Sequence, residues 1–241
     1  SFPNRSEAER KQIMNDFYHH LADLIVEGIK SYSISGEEVS KRFPLYNLNI
    51  LDAYREKGES VIVVFGHYGN WEWLGLASSL QIHPQTVSLY RKIKNPVFQT
   101  FIKENRERFG MQFIAEREAI RGVTKAIKTT AHWSLVAFLA DQAITPKRAF
   151  WIDFLHQKTT FVKGPEQFAR RLKCPVVFMD VKKRSRGFYE GYFEELVPDP
   201  SLLQEGELMK KFANRLEKQI ETEPAFWLWS HKRWKHKYDA E

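Results

Sequence analysis

Val61-Ile62-Val63-Val64-Phe65-Gly66-His67-Tyr68-Gly69-Asn70-Trp71-Glu72-Trp73 carries the pattern of a strand running through a tight turn into a helix. A run of β-branched and apolar residues, the pattern of a strand buried on both faces, stops at Gly66-His67. Asn70 reads as the N-cap of a helix through Ser79. A strand, a tight turn and a helix form the repeating unit of α/β sheets, and ligands bind at the carboxyl ends of their strands. His67 stands at such an end, and Glu72 falls in the first turn of the following helix. A carboxylate so placed can hold an imidazole in one tautomer while its other nitrogen takes a proton from a hydroxyl. The helix N-terminus aims its N–H groups and positive dipole end at the turn, which favours a neutral His67 and tolerates Glu72 as an anion. Gly69 suits a positive φ. The same spacing also fits a hydrogen-bonded histidine at a strand end followed by an ordinary first-turn glutamate.

Working outward, residues 6–30 read as a helix capped by Ser6 and Glu9, with Ile13, Phe17, Leu21, Leu24, Ile25 and Ile29 at helical spacing. A second helix covers Leu48 to Glu56, and the key strand is Ser60 to Phe65. Strands follow at Thr86 to Tyr90, Met111 to Ile114 and Trp133 to Ala140, separated by helices at Asn95 to Phe109 and Arg117 to Thr129. Thr145 to Thr160 reads as irregular and aromatic, Phe161 to Leu172 as a helix, and Pro175 to Lys182 as a buried strand. Arg186-Gly187 turns the chain into Phe188 to Leu196; a last helix spans Leu203 to Glu221, and Phe226 to Tyr238 forms an aromatic, basic tail. Strands alternating with helices predict an α/β fold with a mostly parallel sheet flanked by helices. The expected organisation is one domain over 1–241, with an N-terminal helical extension at 1–58 and a catalytic core at 59–241.

The chain has 241 residues, 43% hydrophobic and 28% charged, enough for a full core. Its net charge of +7 favours an anionic partner: nucleic acid, phospholipid or an acidic carrier protein. With Cys174 as the only cysteine, disulfide frameworks and cysteine zinc sites are excluded, and Cys174 reads as a small buried residue. No apolar stretch approaches the ~18 residues of a membrane span. No H-E-x-x-H, G-x-S-x-G, Walker A or G-x-G-x-x-G motif occurs, which argues against zinc proteases, serine hydrolase elbows, P-loop enzymes and dinucleotide enzymes.

Other candidates lie at strand and helix ends. Asp141-Gln142 closes a core strand; a polar turn is the default reading, a place in the His67 crevice the alternative. Arg91 follows a third strand end, and Arg106 and Arg108 lie near a helix C-terminus. Arginines there can bind phosphate, stabilise an oxyanion or simply serve the helix dipole. Lys163 and Gly164, at a helix start, offer a further phosphate contact. The basic runs at 182–186 and 231–237 read as solvated surface, or, beside Trp227, Trp229 and Trp234, as a lipid-headgroup dock.

Taken together, these blocks resemble the lipid A biosynthesis (late) acyltransferases of the lysophospholipid, or glycerolipid, acyltransferase-like superfamily. Gly66-His67-Tyr68-Gly69-Asn70-Trp71-Glu72 looks like the family's H-x4-D/E block, and Tyr90-Arg91-Lys92-Ile93-Lys94-Asn95-Pro96 like its Arg/Asn-Pro block. Arg106 and Arg108 fall at its basic pair, and Ala140-Asp141-Gln142 at its Asp-Gln strand end. Pro224 to Lys235 is similar to its C-terminal Trp-Leu-x-x-Arg-Arg signature. Lys92, where a proline is common, and His156, where a Phe-Phe-Gly turn is common, depart from the pattern and bear on acceptor and chain length.

The resemblance implies a glycerolipid acyltransferase-like fold and transfer of a fatty acyl group from acyl carrier protein or CoA thioester to a hydroxyl of a membrane lipid. A lipid A precursor leads, with a glycerolipid, aminolipid or other glycolipid as the alternative acceptor. It makes His67 and Glu72 the catalytic dyad. Gly69, Asn70, Arg91, Arg106, Arg108, Asp141, Gln142, Lys163 and Gly164 become oxyanion or acceptor contacts. No metal and no cofactor beyond the thioester co-substrate is expected. Ser1-Phe2-Pro3 and the charged helix after it look like the segment following a membrane anchor. The expectation is therefore such an anchor before Ser1 and work at an anionic membrane surface, the cytoplasmic face of the inner membrane. A basic nucleic-acid-binding protein is the rival from another class; no nucleic-acid motif supports it.

Overall fold

The computed structural model describes residues 1–82, 86–90, 94–129 and 133–238. A seven-stranded sheet forms the centre, in the order β1-β9-β8-β2-β5-β3-β4. These strands are β1 Leu45–Tyr46, β2 Val61–Phe65, β3 Thr86–Tyr90, β4 Gln112–Ala115, β5 Leu135–Leu139, β8 Val176–Ser185 and β9 Phe188–Val197. All neighbours run parallel except β8 and β9, which are antiparallel. Helices flank the sheet: α1 Glu7–Lys30, α2 Gly36–Arg42, α3 Asn49–Glu56, α4 Trp71–Gln81, α5 Pro96–Glu107, α6 Ala119–Thr129, α7 Gly164–Leu172 and α8 Glu207–Thr222. The mostly parallel α/β class expected from the alternation is what the chain adopts. Strands β2 and β5 sit in mid-sheet between helices, which is why Val61 to Val64 and Leu135 to Phe138 are all buried.

Local chemistry explains the ends of the elements. Ser6 and Glu9 make the expected capping box at α1. Asn70 caps α4, its Oδ1 accepting from Trp73 N at 2.8 Å. The Arg186-Gly187 turn joins β8 to β9, with Gly187 at φ 74°. Ser35 caps α2, an element that periodicity did not reveal because it is only seven residues long.

The stretch expected to be irregular, Thr145 to Thr160, instead contains an antiparallel hairpin, β6 Ala149–Phe154 with β7 Gln157–Val162. Its turn places Leu155 at φ 49° and His156 at φ 65°. Two positive-φ residues are the signature of the tight hairpin turn that Asn-Gly or Asp-Gly normally makes. Tertiary packing supplies what the residue types do not: Leu155 is fully buried and its N–H donates to Glu217 Oε1 at 3.0 Å. The same hairpin takes Phe161 and Val162 into β7, so α7 starts at Gly164 rather than Phe161.

Helix α1 is not detached from the core. Phe17, His20 and Glu27 are buried along its inner face. His20 meets the Phe226 ring edge-on, and its Nδ1 lies 3.1 Å from Lys183 Nζ, which also pairs with Asp23 at 2.9 Å. Burial first, and then the neighbouring Lys183 charge, hold the His20 imidazole down at about 4. The unfolded chain therefore binds a proton that the folded chain refuses, so this histidine's contribution is intact above pH ~6.5 and is lost as pH falls toward 4. The expected loss is on the order of 3 kcal/mol across that window. Thermal melts from pH 7 to 4 should show it, and His20→Gln should flatten that limb; an unchanged limb would assign the acid sensitivity to other groups.

Candidate active site

The site forms where the carboxyl ends of β2 and β5 lie side by side. Phe65 is in register with Leu139, so two residues further on His67 comes alongside Asp141. His67 Nδ1 lies 2.5 Å from Asp141 Oδ1, and the His67 backbone N–H donates to Asp141 Oδ2 at 2.8 Å. The same Oδ2 accepts Trp227 Nε1–H at 2.8 Å. Burial alone raises the Asp141 carboxyl; its interaction with His67 and the hydrogen bonds from His67 and Trp227 overcome that and hold it at about 2. An ionised Asp141 accepts only, so Nδ1 carries the proton and Nε2 is the free basic nitrogen. The Gln142 amide nitrogen lies 3.2 Å from that Nε2, and the Trp71 ring stands edge-on to the imidazole.

The pairing corrects one expectation. The carboxylate on His67 Nδ1 is Asp141 and not Glu72. Both Glu72 oxygens are held by Arg106, at 2.8 Å to Nε and 2.5 Å to Nη2, a bidentate pair. Asp141, read as a polar turn or an acceptor contact, is the group that orients the imidazole.

The turn between β2 and α4 is fixed from several sides. Gly66 leaves no room for a side chain: a Cβ there would meet Leu216 of α8 at 2.7 Å and Asp141 Oδ2 at 3.2 Å. Gly69 has φ 59°, and its N–H donates to Phe226 O at 2.9 Å. Leu228 N donates to His67 O at 3.0 Å, so the tail runs beside the turn as a one-bridge strand partner. Asn70 is buried and bound on both sides of its amide, to Trp73 N and to Glu27. The Gly69 N–H and the Asn70 side-chain amide are thus engaged in holding the turn.

The remaining candidates separate. Arg91 lies outside the described residues. Arg108 is committed to main-chain carbonyls, Ser31 O and Ile34 O at 2.9 Å for the latter, and clamps the link between α1 and α2. Lys163 bonds Glu205 at 3.3 Å and lies over the Phe150 ring, while Gly164 begins α7; their contacts are on the hairpin side. Arg106 and Glu72 remain at the opening of an apolar cavity of about 90 Å3 between α4 and the sheet. Trp71, Gly75, Ser88, Met111, Ala137 and Met179 line it. Among the described residues, no group of three or more His, Cys, Asp or Glu side chains could hold a metal ion.

Sequence reasoning missed the part played by the tail. Trp227 is 2% exposed and Arg233 1% exposed, whereas Lys232, Lys235 and Lys237 face solvent. The Arg233 guanidinium lies over the Phe161 ring at 4.1 Å and donates to Thr160 O, and burial pushes its pKa down to about 10. His231 Nε2 accepts the Ala143 N–H at 3.2 Å, just beyond Asp141-Gln142. Half of the supposed surface tail is therefore a strut through the site. The visible signal was the tryptophans: three in eight residues exceed what a solvated basic run needs.

The family model for bacterial lipid A biosynthesis acyltransferases matches residues 1–236, and the chain belongs to that family. It is 25% identical over 154 residues to the lipid A biosynthesis myristoyltransferase of Escherichia coli K12, covering 64% of this chain and 46% of that protein. The lipid A biosynthesis acyltransferase 1 of Shigella flexneri gives the same identity and coverage. A lipid A biosynthesis acyltransferase of Haemophilus influenzae is 21% identical over 99% of this chain and 75% of its own length. The match thus spans about half the length of the first two relatives.

Asp141→Asn keeps the size of the side chain but replaces the anion that selects the Nδ1–H tautomer. It should lower any base-dependent turnover by roughly 10²–10⁴ while the chain stays folded. Steady-state rates beside a thermal melt check this; a folded Asp141→Asn with unchanged turnover would remove Asp141 from the orienting role.

Proposed function

We propose that this chain transfers a fatty acyl group from an acyl thioester to a hydroxyl of a lipid A precursor. The observation that carries the reading is His67, with Nδ1 fixed on a buried anion, Nε2 facing the Gln142 amide, and its ring edge-on to Trp71, which lines the apolar cavity. Family membership supplies the class of reaction; the geometry supports how it runs. His67 Nε2 takes the proton from the acceptor hydroxyl, and the alkoxide attacks the thioester carbonyl. The tetrahedral intermediate then collapses, breaking the C–S bond, and His67 returns the proton to the leaving thiolate. Asp141 keeps the tautomer and balances the imidazolium that forms between the two proton transfers. Glu72 holds Arg106 at the cavity opening, where the guanidinium faces the developing oxyanion or an anionic group of the acceptor. The cavity suits the methylenes of the acyl chain and excludes a headgroup. The donor, acyl carrier protein or CoA, and the absence of any further cofactor belong to the same proposal.

The enzyme works on this reading at an anionic membrane surface, the cytoplasmic face of the inner membrane. No helix among the described residues is long and apolar enough to cross a membrane. Since Trp227 and Arg233 are internal, the bilayer contact falls less on the tail than on α1, whose Met14, Tyr18, Ile25 and Ile29 are exposed in one row. Flotation with anionic vesicles should carry the chain upward at low salt and less so at high salt.

His67→Ala should cost roughly 10²–10⁴ in transfer rate. Mass spectrometry of membrane lipids from cells with this variant as their only copy should show a species lacking one acyl chain. Normal acylation by a folded His67→Ala would refute the mechanism. Gly75→Leu, which projects a side chain toward Met111 across the cavity, should shift donor preference to shorter chains in a competition assay.

A further inference from the structure

The inner face of α1 carries a buried carboxylate that the chemistry above does not use. Glu27 is 6% exposed, although it belongs to the helical segment that precedes the catalytic core in the chain. Its Oε2 accepts from Asn70 Nδ2 at 2.7 Å and from Tyr189 OH at 2.8 Å. Its main-chain carbonyl accepts Trp73 Nε1–H at 3.0 Å. Glu27 therefore grips the turn at two points, the N-cap of α4 and a side chain of the first helical turn.

Several features make this more than a packing contact. Asn70 lies between His67 and Glu72 in the chain, and its amide oxygen caps α4 through Trp73 N. Tyr189 also abuts the turn: a Cβ on Gly69 would come 3.5 Å from its ring and 2.7 Å from Val181 Cγ1. Glu27 Oε1 finds no hydrogen-bond partner among the described residues, and burial pushes the carboxyl up against the pull of its two donors. A buried acid satisfied on one oxygen alone is costly to keep. What it supplies is geometry. The anion end lies at the N-terminus of α4, where the helix dipole favours it, and it orients the Asn70 amide so that oxygen faces the helix and nitrogen faces α1.

We propose that Glu27 is a positioning residue for acyl transfer, acting through Asn70 to hold the Gly66–Trp73 turn so that His67 keeps its place against Asp141 and Glu72 its place against Arg106. The kinetic form of this inference rests on the acyl-transfer reading; its structural form does not.

Three variants of the full chain test it. Glu27→Leu fills the space and leaves Asn70 and Tyr189 without their acceptor. Asn70→Asp keeps a good N-cap but sets a carboxylate against Glu27. Glu27→Gln combined with Asn70→Asp restores the pair in reverse: the amide introduced on α1 donates to the carboxylate introduced at the N-cap, and the amide oxygen accepts from Tyr189.

Glu27→Leu and Asn70→Asp should each lower kcat roughly 10- to 100-fold with KM for donor and acceptor little changed, the scale of a displacement near 1 Å. The double variant should recover most of that loss. Amide exchange at residues 70–73 should rise in both single variants and return in the double, with or without turnover. Wild-type kcat in the single variants, or a double variant no better than Asn70→Asp, would overturn the proposal. Should Asn70→Asp fail to fold, an active double variant beside an inactive Glu27→Leu supports it, and equal activities overturn it. A wild-type chain with no acyl transfer but with the exchange pattern intact would refute the reaction and leave the positioning role standing.

Discussion

Everything at this site depends on one buried anion. Asp141 is 2% exposed, and an isolated carboxylate in that position would be protonated or would unfold its surroundings. It stays charged because its donors converge on it: the backbone and ring N–H groups of His67 and the indole N–H of Trp227. Each donor comes from a different stretch of chain than the acid does. The strand register between β2 and β5 brings His67, and the tail brings Trp227. The arrangement is self-reinforcing, since the charge that orients the imidazole is itself held by the turn that carries the imidazole.

The neighbouring elements read as supports for that turn. Leu216 of α8 closes against Gly66, the tail strand bonds Gly69 and His67 O, and α1 reaches Asn70 through Glu27. Arg108 ties the end of α1 to the chain leading into α2. Beyond the net stabilisation of about 1 kcal/mol apiece that hydrogen bonds of this sort contribute, these bonds fix positions. Their effect is on precision, because a reacting group tolerates less displacement than a fold does.

Charge pairs divide the polar residues near the opening into two sets. Glu72 and Arg106 neutralise each other and are partly exposed, so their mutual attraction is weakened by solvent. His67 and Asp141 are more deeply placed, and solvent screens their attraction less. The spacing of His67 and Glu72 is thus satisfied by two separate pairs, not by one contact between them.

Much of this was legible in the residues. The apolar run of β2, the Asn70 cap, the alternation of strands and helices and the position of His67 at a strand end follow from period, β-branching and capping chemistry, which are local. The hairpin at β6–β7 was not legible, because Leu155 and His156 adopt positive φ without a turn residue to announce it; burial of Leu155 compensates for the strain. Which carboxylate meets His67 was not legible either. Glu72 is near in sequence, but a helix beginning at Trp71 carries its side chain toward Arg106, while Asp141, far along the chain, is brought alongside by parallel pairing. Local sequence was enough for the α/β class, the place of His67 at a strand end and the family resemblance. The partners of His67, the burial of Trp227 and Arg233 and the reach of Glu27 into the turn arise from long-range packing. Such pairings depend on sheet register and on distant segments meeting, and no local period encodes them.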